Sequence, residues 1–214
     1  MGRTSNARER LINSAIELIS ARSYTAVGVQ ELCEHAGVKK GSFYHFFQSK
    51  RDLTLAALDT VWKGFRDQVL EPIFNSDLPP LEKFNRFLDI SYERHCSTKD
   101  CTGAMTGCQM GNLAVELSTQ DEVIRQRIQE IFEQWTGYCE RVLKEAIAAG
   151  QLPPETDPRT TAQAILAYIE GILLLGKTFN DPSLIRRLGQ GVIQLAICSS
   201  SNRCIETKEN TLSS

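Results

Sequence analysis

The chain has 214 residues, 42% hydrophobic and 23% charged, a balance that supplies a sizeable core and excludes disorder except at the ends. The net charge of -2 carries no whole-chain nucleic-acid signature, yet residues 1–54 hold eight Lys/Arg against five Asp/Glu, a local +3 joined to an acidic remainder. Seven cysteines with no CxxC pair, behind a polar N-terminus lacking an apolar leader core, predict reduced thiols in a cytoplasmic protein; the longest apolar run, 164–176, is interrupted by Glu170 and too short to span a bilayer, so no membrane segment is expected.

The pattern is helical nearly throughout. Residues 6–21 place Leu11, Ala15, Leu18 and Ile19 on one stripe, with Ser5 or Asn6 as N-cap and Glu9 completing a capping box. A helix of about two turns follows, with Gly28 as N-cap and Gly37 as its C-terminal stop. The next runs from about Lys40 to Phe46. Ser49 with Asp52 forms a second capping box, which opens a helix reaching about Leu70, where Pro72, Pro79 and Pro80 mark a break. Apolar-periodic segments follow at roughly 81–95, 109–118, 121–149, 158–179 and 182–198. The expected class is all-α, divided into a small N-terminal domain (1–54), a helical body (55–200) and a flexible tail (201–214).

Two short helices joined at "AGV" fit a helix-turn-helix, the second being the reading helix. Only the start of such a helix reaches base edges, and Lys39, Lys40 and Ser42 stand there. Gly41 lets that end approach a phosphate backbone closely. Tyr44 and His45 can donate to phosphate, Phe43, Phe46 and Phe47 form the packing face, and Lys50 is placed to grip a phosphate as a point charge.

The stretch "YTAVGVQELCEHAGVKKGSFYHFFQSKRDLTLAAL" resembles the DNA-binding region of the TetR family of one-component repressors, matching its order of motifs over residues 24–58. The resemblance implies contacts to a double-stranded operator from Gln30, Lys39, Lys40, Ser42, Tyr44, His45 and Lys50, and a repressor function rather than an enzyme. Gly28 departs from the pattern: the family usually has a serine or threonine there, capping the second helix. Such proteins generally dimerise on two half-sites. The last two helices, apolar on most sides and carrying Gly189 and Gly191, are the expected homodimer interface, in line with the four-helix bundle of the resembled family.

In "CTGAMTGCQMGNLAVELS" (101–118), Gly103, Gly107 and Gly111 interrupt any helix and let the segment bend around a cavity, while Cys108 stands just ahead of a helical run. A thiolate there is stabilised by helix-start amides and is nucleophilic. "GCQMGNLAVEL" is similar to a motif in the TetR subfamily that includes the N-ethylmaleimide reductase repressor and the acrylate-responsive regulator, which implies a reactive electrophile, oxidant or small unsaturated acid as effector. Lys177 is the candidate cation near Cys108, and Cys96 or Cys101 a candidate resolving thiol. Cys33, Cys139 and Cys198 fit core packing, and Cys204 falls in the tail. Tyr92, Asn112, Phe132, Trp135 and Tyr138 are candidates to line a ligand pocket. Two other readings are a metal-responsive repressor using His95, Cys96, Cys101 and Cys108, whose irregular spacing argues against it, and a thiol enzyme pairing Cys108 with His95, which lacks a third orienting group. No cofactor is expected.

Overall fold

The computed structural model describes residues 3–198, with side chains for 6–197. The expected tail, Cys204 and the side chain of Cys198 lie outside the described residues. The chain is all-α: α1 (Arg3–Ala21), α2 (Val29–His35), α3 (Lys40–Phe46), α4 (Lys50–Phe65), α5 (Glu71–Phe74), α6 (Pro80–Thr102), α7 (Gln109–Leu117), α8 (Glu122–Ala148), α9 (Pro158–Phe179) and α10 (Ser183–Cys198). These form two compact units, residues up to 69 with 106–132, and 70–105 with 133 onward. The boundary expected at 54/55 falls inside α4.

Three element boundaries differ from expectation. The first helix starts at Arg3, which puts Asn6 inside it rather than at its cap. After α4 the chain stays helical through a π-helical turn (Arg66–Leu70) into α5, because Pro72 sits in the first turn of α5, where a missing N–H costs nothing. Helix α6 runs seven residues past 95. That extension has no apolar stripe to betray it, but Thr98 and Thr102 turn their hydroxyls onto the carbonyls of Arg94 and Thr98, at 2.9 and 2.8 Å, and it ends at Gly103 with φ 81°.

In the first unit, Leu11, Ala15, Leu32, Phe43, Phe47 and Leu53 form a core drawn from α1 to α4, and Leu113 of α7 packs against it. The second unit buries Phe74, Phe84, Phe87 and Trp135, with Trp135 edge-on to Phe87 at 5.9 Å between centroids. Lys83, almost fully buried there, donates to Glu145 at 2.6 Å and to the Phe74 carbonyl at 3.2 Å. Removing Glu145 would cost more than the pair contributes when made, since the Lys83 ammonium would be left as a buried charge, whereas Glu145 itself is partly open to water.

Helix α9, with 22 residues, is long and apolar enough by length and composition to cross a membrane, so the shortness of the 164–176 run does not decide the matter. Within the unit it buries a stripe through Ile165, Ile169, Ile172 and Gly176, and it packs on α10. Gly189 and Gly191 serve this packing. A Cβ on Gly189 would stand 3.0 Å from Leu88 of α6, and one on Gly191 would overlap the Tyr168 ring of α9, whose hydroxyl donates to the Leu188 carbonyl at 3.0 Å. The close approach they allow is therefore made inside the chain.

Candidate nucleic-acid interface

The turn between α2 and α3 follows from one glycine. Gly37 takes φ 60°, in the left-handed region, so its N–H reaches the Glu34 carbonyl (3.0 Å) and the Val38 N–H reaches the Cys33 carbonyl (2.9 Å). This double bond pattern satisfies the end of α2 and redirects the chain, with Val38 tucked against the core as such turns require. Ser49 then caps α4 by accepting from the Asp52 N–H at 3.1 Å, as its sequence spacing predicts.

Helix α3 is split between two tasks. Phe43 is fully buried and Phe47 nearly so, with Phe46 partly covered; Lys39, Lys40, Gly41, Tyr44 and His45 are exposed and Ser42 is half-buried. Tyr44 leaves 54% of its surface open while its ring stands edge-on to Phe43 at 5.1 Å. Among the described residues nothing lies within 4 Å of where a Gly41 Cβ would sit, and its φ is not left-handed, so their packing does not demand glycine there. Gln30 is exposed on α2, its amide donating to Glu34 at 2.7 Å. Arg8 of α1, which the sequence reading missed, lies over the Phe47 ring at 5.4 Å and adds an exposed cation near the end of α3.

Lys50, expected to meet phosphate, is also tied to the protein's own backbone. Its ammonium donates to the carbonyls of Tyr24 (2.9 Å) and Val27 (3.1 Å) and rests 3.9 Å from the centre of the Tyr24 ring. Two of its three donors are thus committed to the α1–α2 turn, and burial lowers its pKa, partly countered by Glu116. Glu116 of α7 holds the same turn, accepting from the N–H groups of Tyr24 and Thr25 (2.9 and 2.8 Å) and from the Thr25 hydroxyl (2.7 Å). Burial pushes the Glu116 carboxyl up, but the Thr25 N–H and hydroxyl, the Tyr24 N–H and Lys50 together outweigh it and leave the group below its ordinary range. Arg51 adds an ion pair to Asp121 at 3.7 Å, and Arg127 one to Asp59 at 2.7 Å.

Cys108 is the N-cap of α7, half-buried, its Sγ accepting from the Gly111 N–H at 3.3 Å. Gly103 and Gly107 take positive φ, as the expected bend requires, whereas Gly111 lies inside the first turn of α7 rather than interrupting it. Asn112 donates to the Thr106 carbonyl at 2.9 Å, closing the same loop. Lys177 belongs to the second unit, exposed near the end of α9. The pocket candidates are likewise divided: Asn112 and Phe132 in the first unit, Tyr92, Trp135 and Tyr138 in the second. There Trp135 is a core ring, Tyr138 donates to Glu71 at 2.7 Å, and Tyr92 is stacked beneath Arg186 at 3.8 Å.

The metal reading gains no support from the side-chain geometry. Among the described residues no group of three or more His, Cys, Asp or Glu side chains is arranged to hold an ion. His95, expected to serve as ligand or base with Cys96, Cys101 and Cys108, turns Nδ1 onto the Ser91 carbonyl of its own helix at 2.7 Å. Cys96 is paired with Tyr92 one turn away.

An exposed, cation-led short helix fixed by a glycine turn to a three-helix core defines a helix-turn-helix DNA-binding transcriptional regulator. Residues 11–57 match the family described as bacterial regulatory proteins, tetR family, and residues 88–192 match the tetracyclin repressor-like C-terminal domain. The chain is 32% identical to the transcriptional regulator AcuR of Cereibacter sphaeroides, over 80% of this chain and 76% of that protein. It is 26% identical to the transcriptional repressor NemR of Escherichia coli, over 56% of this chain and 58% of NemR. The crystal structure of regulatory protein TetR from Rhodobacter sphaeroides superposes with a TM-score of 0.78 at 28% identity, covering 88% of this chain and 98% of that one. The chain belongs to the tetR family of bacterial regulatory proteins.

Proposed function

We propose that this chain is a homodimeric repressor that reads a palindromic operator with α3 and lets go when a small electrophile modifies Cys108. The observation that carries the DNA half is the division of α3, with Phe43 and Phe47 buried beneath exposed Lys39, Lys40, Tyr44 and His45. Lys39 and Lys40 meet phosphate or base edges at the helix start, the Tyr44 hydroxyl and His45 imidazole donate to phosphate, and Gln30 and Ser42 supply neutral polar contacts. The open space at Gly41 leaves room for the duplex backbone. A second copy covers the apolar surface left on α9 and α10, where Phe179 is 67% and Leu174 60% exposed.

The sensor half is supported by the cap geometry of Cys108 and by the similarity to NemR. A thiolate held at a helix start adds to the electron-poor carbon of an activated alkene; the S–C bond forms, and the neighbouring carbon takes a proton from water. Alkylation turns the thiolate that accepts from Gly111 into a bulkier, uncharged thioether, a weaker acceptor, and so weakens the cap of α7. Lys177 is the cation proposed to favour the thiolate form of Cys108.

Fluorescence anisotropy on the DNA upstream of the chain's own gene, with and without N-ethylmaleimide, tests both halves. Lys40→Ala should lower the slope of log affinity against log salt by about one, and Tyr44→Ala should weaken binding. Cys108→Ser keeps an oxygen at the cap and should bind DNA normally while resisting N-ethylmaleimide. Unchanged affinity in both α3 variants sinks the DNA assignment, and equal release of the serine variant sinks the sensor.

A further inference from the structure

We infer that Glu116 is a positioning residue for DNA binding: it is the latch by which α7 holds the entrance of the reading head, although it stands at none of the positions expected to touch DNA. This rests on the reading of α3 as the DNA-contacting helix. The α1–α2 turn has some bonds of its own, the Ala26 N–H donating to the Ser23 hydroxyl at 3.2 Å and Arg22 to the Ala26 carbonyl at 3.1 Å, but none of these reaches the Tyr24 and Thr25 N–H groups. Gly28, the N-cap of α2, makes no side-chain cap bond, so the customary local support is missing. The turn is instead gripped by two opposite charges from elsewhere in the unit. Glu116 takes the Tyr24 and Thr25 N–H groups and the Thr25 hydroxyl, while Lys50 donates to the Tyr24 and Val27 carbonyls. Donors and acceptors of one turn are thereby satisfied by an anion on α7 and a cation at the start of α4.

The partners are 91 and 92 residues apart in sequence, so the latch ties α7 to the N-terminal module rather than stabilising α7 locally. Leu113, one helical turn earlier on α7, packs on the same module's core. The helix that Cys108 caps is therefore joined to the reading head by one apolar and one charged contact. Withdrawing Glu116 frees the turn that sets where α2, and behind it α3, begin. A head that spends only part of its time in the binding-competent arrangement loses affinity by that fraction.

The sign of the effect separates this role from plain electrostatics. Removing a carboxylate makes the DNA-binding unit more positive, which by Coulomb attraction alone leaves affinity for a polyanion equal or higher. Loss of the latch does the opposite. Glu116→Gln, which keeps one acceptor oxygen, and Glu116→Ala are compared with wild type by anisotropy over a salt series, alongside hydrogen exchange of the Tyr24 and Thr25 amides. Affinity should fall in the order wild type, Gln, Ala, by about tenfold for Ala, with an unchanged salt slope because no phosphate contact is lost. Exchange at both amides should quicken. Equal or tighter binding by the folded Gln variant overturns the inference, as does a slope reduced as in Lys40→Ala. Wild-type protein that binds no DNA would sink the DNA reading instead, and the amide exchange would then decide the latch alone.

Discussion

Replacing Lys50 with methionine separates a structural cation from a phosphate clamp. The side chain makes two charge-assisted hydrogen bonds, at 2.9 and 3.1 Å, and lies 3.9 Å from an aromatic centroid. Each such bond is worth about 1.5–3 kcal/mol at most, and a cation over a ring about 0.5–1 kcal/mol. The site is half-buried, so water replaces part of what is lost, and methionine keeps most of the stem packing without the cost of desolvating an ammonium. The net is about 2 kcal/mol of destabilisation, which for a chain of this size shifts Tm by about 4–8 °C. Thermal unfolding by circular dichroism reads the stability, and an anisotropy salt series reads the phosphate contacts. The expected result is a lowered Tm with the wild-type salt slope. A variant as stable as wild type whose slope drops by about one would show that Lys50 grips phosphate and that its carbonyl contacts are incidental.

Burial holds the Cys139 thiol up at about 12, and burial also raises Cys33, whereas Cys101 is exposed and Cys108 half-buried. Brief iodoacetamide treatment of native protein, followed by peptide mass mapping, should therefore label Cys101 and Cys108 and spare Cys33 and Cys139 until denaturant is added; labelling of Cys139 at a matching rate would contradict its burial. The lowered pKa of Glu116 makes its contribution to stability present above the ordinary carboxylate value and lost as pH falls through the folded one. Urea midpoints of wild type and Glu116→Gln should differ at neutral pH and converge in acid below the ordinary carboxylate range, and a gap that persists at the acid limit would argue against ionised Glu116 as the stabilising form.

What was legible in the sequence is what depends on neighbours within about four residues. The Ser49 cap reaches Asp52 three positions on, the Gly37 turn closes on Glu34 and Cys33, and Cys108 caps through Gly111, so composition and spacing contain each of these. The buried and exposed faces of α3 were equally readable, since helical periodicity assigns Phe43 and Phe47 to one side. The internal contacts of Lys50 were not readable, because a lysine at a helix start looks the same whether its ammonium meets a phosphate or two carbonyls 23 and 26 residues earlier. Gly189 and Gly191 show a related limit: a small residue signals close approach without naming the partner, which within the chain is Leu88 and Tyr168. Glu116 had no signal at all, because an acidic residue near the end of an amphipathic helix reads as solvated surface. Its role arises only when the fold brings an uncapped turn beneath it. The missing side-chain cap at Gly28 was nevertheless visible, and a helix start that lacks its local support implies support from elsewhere. Gaps in local satisfaction are thus where a sequence points to tertiary contacts that it cannot name.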